Sequence, residues 1–169
     1  MPLSLNIALV FTPADTARLA AYSQTLTPLI GSDTVLGVNS HPHLTLLQFG
    51  AEIDAAQAAA QTIALPVPFI ITVNQSYGHE GSGGLYWYGL EVVKTPALTA
   101  YPTMIWEKLG RPAMHNPIGD DYFPHITTGH GRKLSVIPAA ENLFGDYTVH
   151  LAVGISGPQY QLDKIVWAA

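Results

Sequence analysis

The chain contains no cysteine. That removes disulfide frameworks, thiolate nucleophiles and every zinc site with a Cys ligand. Charge is scarce as well: charged residues make up 11% of the sequence, with 7 Lys and Arg against 12 Asp and Glu. The net charge of −5 argues against a broad electrostatic grip on nucleic acid, which depends on neutralising many phosphates. A small or terminal phosphate ligand stays compatible with it. No apolar run approaches the ~20 residues that span a bilayer. The apolar opening MPLSLNIALVF has no basic flank and stops at Pro13, which does not fit a signal peptide. A cytoplasmic protein with no membrane partner is the expectation.

What is abundant is core-forming material. Hydrophobic residues account for 48% of the 169 residues and mean hydropathy is positive, so the chain can bury a sizeable core and disorder is excluded. Leu5–Phe11 alternates as a half-buried strand. Thr12 as N-cap, Pro13 at the first helical position, and Leu19, Tyr22, Leu26 and Leu29 at helical spacing then predict a helix that ends at Gly31. A strand over His43–Gln48 and an alanine-rich helix from Asp54 to Ile63 follow. Phe69–Tyr77 and Leu85–Val93 read as strands joined by the glycine-rich loop GHEGSGG. A helix spans Thr95–Leu109, with Pro102 marking a kink or a late start. Strands at Tyr122–Thr128, Tyr147–Ile155 and Tyr160–Trp167 close the chain, the last two separated by Gly157 and Pro158.

One four-residue phrase occurs twice, as Pro42-His43-Leu44-Thr45 and Pro124-His125-Ile126-Thr127. With 7 His in the chain, chance alone gives about 0.6 His-x-Thr matches. Requiring the preceding Pro lowers this to roughly 0.05, and two copies to on the order of one in a thousand. In a strand, residues two apart share a face, so each phrase presents an imidazole beside a hydroxyl while Leu44 and Ile126 turn into the core. If the halves pack about a pseudo-twofold axis, two such pairs face one space. That constellation suits a phosphate ester. One neutral His accepts a proton from the attacking oxygen, one protonated His gives a proton to the leaving oxygen, and the hydroxyls hold the non-bridging oxygens.

The paired motifs resemble those of the two-histidine phosphoesterase superfamily, which includes RNA 2′,3′-cyclic phosphodiesterases, also called 2′-5′ RNA ligases. The resemblance spans most of the chain. It implies an α+β fold over residues 1–169: one two-lobed domain, a pseudo-twofold duplicated unit with two antiparallel sheets flanking a central groove and helices outside. It implies His43 and His125 as the catalytic pair and Thr45 and Thr127 as phosphate-binding residues, with no cofactor and no metal required. Many relatives resembling the RNA phosphodiesterases follow the second His-x-Thr with an aliphatic residue, Ala and Arg. Here Thr128-Gly129-His130 stands in that place and Arg132 is displaced.

Several residues admit a second reading. His41 and His43 form His-x-His, and His125 would complete three nitrogen ligands, the count of a catalytic zinc site. Against metal stand His130, at the wrong strand parity relative to His125, and the lack of an acidic residue on the same face. His41 is then a neighbour at the groove rim or simply an exposed strand residue. Tyr122 and Phe123 adjoin His125 and are candidates for base stacking, whereas Tyr86, Trp87 and Tyr88 read as core. The GHEGSGG loop is a hairpin loop that in one reading acts as a lid carrying His79 and Glu80. His115 and His150 receive no role. The expected ligand is a nucleotide or an RNA terminus bearing a cyclic phosphate rather than an extended duplex, and the expected state is a monomer. Alternatives are a small cyclic nucleotide, an ADP-ribose cyclic phosphate, a 2′-5′ linkage cleaved or ligated, or a nucleotide-binding module without turnover.

Overall fold

The computed structural model describes residues 3–81, 84–157 and 161–169. The expected strand start at Tyr160, the separating Pro158, and Ser82 and Gly83 of the hairpin loop lie outside the described residues. Local sequence signals set the first elements. Strand β1 (Leu3–Phe11) runs into helix α1 (Pro13–Ile30). The Thr12 side chain accepts from the Asp15 backbone N–H, and Gly31 closes the helix in the left-handed conformation with φ of 69°, as its lack of a Cβ permits. Then come β2 (His43–Ala51), α2 (Ile53–Gln61), β3 (Phe69–Glu80), β4 (Tyr86–Val92) and α3 (Pro96–Lys108). Of the two possibilities for Pro102, the interior one holds, since α3 already begins at Pro96 with Thr95 as its cap. Strands β5 (His125–Gly131), β6 (Gly145–Ser156) and β7 (Leu162–Ala168) complete the chain.

The fold is α+β, and its strand pairings are all antiparallel. The hydrogen-bonded order is β2-β1-β6-β3-β4-β5, with β7 also on β6. The expected two sheets are thus continuous, and β3 is the reason. Its first residues, Phe69–Val73, pair with β6, while Val73–Glu80 pair with β4. Strand β3 has 12 residues, enough to serve two neighbours in succession. The main core lies between the helices and the sheet and is built from Leu5, Ile7 and Leu9 of β1 with Leu44, Leu46 and Leu47 of β2 and residues of α1 and α2.

Strands β2 and β5 occupy opposite ends of the strand order, yet they approach each other closely. Twist brings the two ends of the sheet back across one cleft, so the repeated phrases meet in space. Helix α1 braces this curl against β5. The Gly131 backbone sits so close to α1 that an added Cβ would lie 2.2 Å from the Ile30 carbonyl oxygen, and the Arg132 N–H donates to that oxygen at 2.8 Å. Gly131→Ala is therefore expected to cost about 1–3 kcal/mol, measurable as a lower urea midpoint. An unchanged midpoint would show that this approach does not matter.

Candidate functional site

Each phrase lands at the start of its strand. His43 and Thr45 are partly buried at the cleft while Leu44 is fully buried, and His125, Ile126 and Thr127 repeat the pattern. The cleft has a volume of about 360 Å³ and is lined by all four phrase residues. The two imidazoles are held alike. His43 Nδ1 lies 2.7 Å from the carbonyl oxygen of His41, and His125 Nδ1 lies 2.7 Å from that of Phe123. A carbonyl only accepts, so each Nδ1 carries the proton and each Nε2 is the nitrogen left for chemistry.

Desolvation pushes the His43 pKa down to about 4, opposed by the His41 carbonyl and reinforced by the charges of His125 and His41. His125 is lowered as well, first by desolvation and then by His79, again against its own backbone hydrogen bond. Burial thus disfavours the charged form of both imidazoles, and a charge on His125 further disfavours one on His43, so the pair does not hold two protons near neutrality.

The hydroxyls are held from inside the sheet. Asn6 Nδ2 on β1 donates to Thr45 Oγ1 at 3.0 Å. Tyr77 on β3 shares a side-chain hydrogen bond with Thr127, and burial raises its pKa so that it stays a phenol. To reach Thr127 from β3 the phenol must pass over β4. It does so at Gly89, where a Cβ would lie 2.6 Å from the Tyr77 hydroxyl and which pairs with Thr127. With Asn6 supplying a donor, Thr45 can direct its own proton into the cleft, while Tyr77 fixes the position of the Thr127 hydroxyl. Asn6 is fully buried and its Oδ1 has no partner among the described residues, a cost of about 1–3 kcal/mol. Asn6 therefore contributes placement rather than packing. An Asn at an otherwise apolar strand position was the sequence signal for it. Tyr77 carried none.

Two β-bulges overturn one expectation. Ile7 and Ala8 face Leu47 and Thr45, which leaves Leu46 as an extra residue. Tyr88 and Gly89 face Gly129 and Thr127, which leaves Thr128 extra. Each bulge falls directly after the Thr of its phrase and reverses the alternation beyond it. Gln48 and His130, each five residues after its phrase histidine, consequently line the cleft. The parity expected from strict alternation places His130 away from the site, and the bulge corrects this. Both bulged carbonyls are capped by side chains: Leu46 O accepts from Asn116 Nδ2 at 3.2 Å and Thr128 O from Ser23 Oγ at 2.7 Å. His130 is 4% exposed, its Nε2 3.0 Å from Thr34 Oγ1 and 3.8 Å from Asp33 Oδ1, with the Trp87 ring at 4.9 Å.

The remaining candidates separate clearly. Phe123 is 39% exposed and stacks on His125 at 5.2 Å. Tyr122 also borders the cleft but is 4% exposed, with its hydroxyl donating to the Thr45 carbonyl at 2.6 Å. Its ring is thus fixed in the core and is not free to stack on a base, contrary to the expectation for it. His41 is exposed and acts on the site through its carbonyl. Trp87, expected in the core, faces the cleft while its neighbour Tyr88 is buried. His79 and Glu80 lie on β3, paired with Trp87 and Tyr86, and so are not carried by a loop lid. The strand extends past Tyr77 because the ladder with β4 continues to Tyr86. His79 stacks on Tyr77 at 5.4 Å, and His115 lines the cleft too. Among the described residues no group of three or more His, Asp or Glu is arranged to hold a metal ion. No helix is long and apolar enough to cross a membrane.

The sequence matches no protein-family model and no curated protein. Solved structures do share the fold. E. coli LigT complexed with 3′-AMP superposes with a TM-score of 0.69 at 18% identity, covering 99% of this chain and 98% of that one. A structure described as a phosphoesterase gives 0.68 at 17% identity, covering 100% and 98%. E. coli LigT complexed with phosphate gives 0.68 at 19% identity, covering 99% and 96%.

Proposed function

We propose that this protein is a two-histidine phosphoesterase that opens a 2′,3′-cyclic phosphate on a nucleotide or RNA end by metal-independent acid–base catalysis. The observation that carries the reading is the matched pair of imidazoles, each locked through Nδ1 to a backbone carbonyl, in one cleft with two supported hydroxyls. The shared fold with phosphate- and nucleotide-bound LigT structures supports it.

The chemistry follows from the donor set. Water attacks phosphorus in line with the ribose oxygen that leaves. The neutral imidazole takes the water proton on Nε2 as the new P–O bond forms, and the protonated imidazole gives its Nε2 proton to the departing oxygen as the old one breaks. Thr45 and Thr127 donate to the non-bridging oxygens, where charge accumulates. One proton shared by the pair is sufficient, because base and acid exchange states over the reaction.

The test is hydrolysis of the four nucleoside 2′,3′-cyclic phosphates over a pH series, with and without EDTA. The base must be free and the acid protonated, so kcat/KM rises through the lower pKa of the pair and falls beyond the upper one. Both histidines are lowered from 6.5. The maximum should therefore lie on the acid side of 6.5, with a tenfold fall per pH unit at the alkaline end. A bound phosphate anion favours the protonated forms, which shifts the kcat profile to higher pH than that of kcat/KM. EDTA should change neither. A rate that climbs steadily to pH 9, or that EDTA abolishes, would rule the mechanism out.

A further inference from the structure

Phosphate sites commonly use Arg or Lys, and this cleft does not. Among the described residues its lining includes five histidines and no Lys, Arg, Asp or Glu. All seven cationic side chains of the chain fall within the described residues, and the structure accounts for them elsewhere. Arg18 bonds Asp15, Arg111 bonds Glu107, and Lys94 donates to the Asp120 carbonyl. Arg132 donates to the Leu29 carbonyl at the end of α1. Lys133 sits over the Tyr86 ring at 5.1 Å, on the face of β4 opposite Trp87. The other two are exposed on α3 and β7. The charged groups placed against cleft residues are carboxylates: Asp33 is 3.8 Å from His130, and Glu91 lies across the ladder from His125.

We propose that the substrate is a small phosphodiester with a single negative charge, about the size of one nucleoside cyclic phosphate, held by hydroxyls and the histidine pair without any Lys or Arg, and that polyanionic RNA is disfavoured. This rests on the phosphoesterase reading above and names its substrate class. Charge matching supports it. Desolvation opposes charging either histidine and a charge on His125 further opposes one on His43, so this poorly solvated cleft offers a ligand at most one positive charge. A monoanion is neutralised there. A second negative charge would be buried without a partner, which is strongly unfavourable. The carboxylates beside the cleft oppose the flanking phosphates of an RNA strand. The volume of about 360 Å³ lies at the small end of the roughly 300–1,000 Å³ of ligand pockets. Phe123, exposed beside His125, offers the ring for one base.

The experiment compares adenosine 2′,3′-cyclic phosphate with a single-stranded RNA of about ten nucleotides ending in the same cyclic phosphate, over a tenfold range of salt. An RNA held through three phosphates loses about 100-fold in affinity over such a range. The expected result is a kcat/KM for the mononucleotide that changes by less than about twofold, with the RNA no better a substrate at any salt. An RNA at least about tenfold better, with a steep salt dependence, overturns the inference while leaving the hydrolytic reading intact. If neither is hydrolysed, the hydrolytic reading falls and both become stable ligands for calorimetry. Salt-insensitive binding of the cyclic mononucleotide, at least about tenfold tighter than adenosine 2′-monophosphate or the RNA at pH 7.5, then supports the inference. Tighter RNA binding, or no mononucleotide binding, overturns it.

Discussion

Replacing either His43 or His125 with alanine is expected to lower turnover of a 2′,3′-cyclic nucleotide by about 10²–10⁴-fold, the usual contribution of a positioned general acid or base. The two losses should be of the same order, because the imidazoles are oriented by the same kind of bond at the same 2.7 Å. They should not add. Once one proton-transfer partner is gone, the other has no complementary step to assist, so the double variant should resemble the weaker single one. Folding is not at stake, since both rings are at the cleft while the adjoining Leu44 and Ile126 fill the core. Circular dichroism and thermal unfolding of the variants provide the control. Activity retained in both single variants would sink the mechanism.

The next largest effect is expected at the hydroxyls. Thr45→Val and Thr127→Val preserve shape and remove the proposed donor to the non-bridging oxygens, a loss that typically costs about 10²–10³-fold in kcat. The residues behind them give a sharper test. Tyr77→Phe leaves Thr127 without its phenol partner, and Asn6→Leu leaves Thr45 without its amide. Both act by positioning, so kcat should fall by about tenfold or less while substrate still binds. Asn6→Leu carries a second signature: it also removes the buried Oδ1 that has no partner among the described residues. Its melting temperature should hold or rise while kcat falls. A role in stability alone predicts the reverse.

Much of this site was legible from the order of residues because its chemistry lies in a short repeated string. Strand alternation was enough to put His43 beside Thr45 and His125 beside Thr127 on one face, with Leu44 and Ile126 behind. Alternation failed one residue later. A bulge is a property of pairing, set by what the neighbouring strand presents, and neither Leu46 nor Thr128 announces one. Gln48 and His130 were therefore misplaced. Tyr122 was misjudged for a related reason. Its sequence neighbour His125 is at the cleft, but its hydroxyl reaches across to β2 and draws the ring inward. Tyr77 could not be found at all, since its contact with Thr127 crosses two strand pairings and depends on a missing side chain at Gly89. The division into two sheets was implied by the family resemblance, whereas the length of β3 lets one strand belong to both halves.

The backbone carbonyls that hold the imidazoles have a consequence for the tolerance of the site to substitution. In a triad, the group orienting the histidine is a carboxylate, and one point mutation deletes it. Here it is a main-chain oxygen that every amino acid carries. His41 and Phe123 each precede a proline, and a residue in that position is confined to extended conformations, which limits where its carbonyl can point. The proline of each phrase thus acts on the histidine after it through the peptide before it. The side chain at 41 is free to vary without loss of the carbonyl that orients its imidazole, whereas at 123 the carbonyl survives substitution but the ring that stacks on His125 does not; loosening the backbone hold requires changing Pro42 or Pro124 instead.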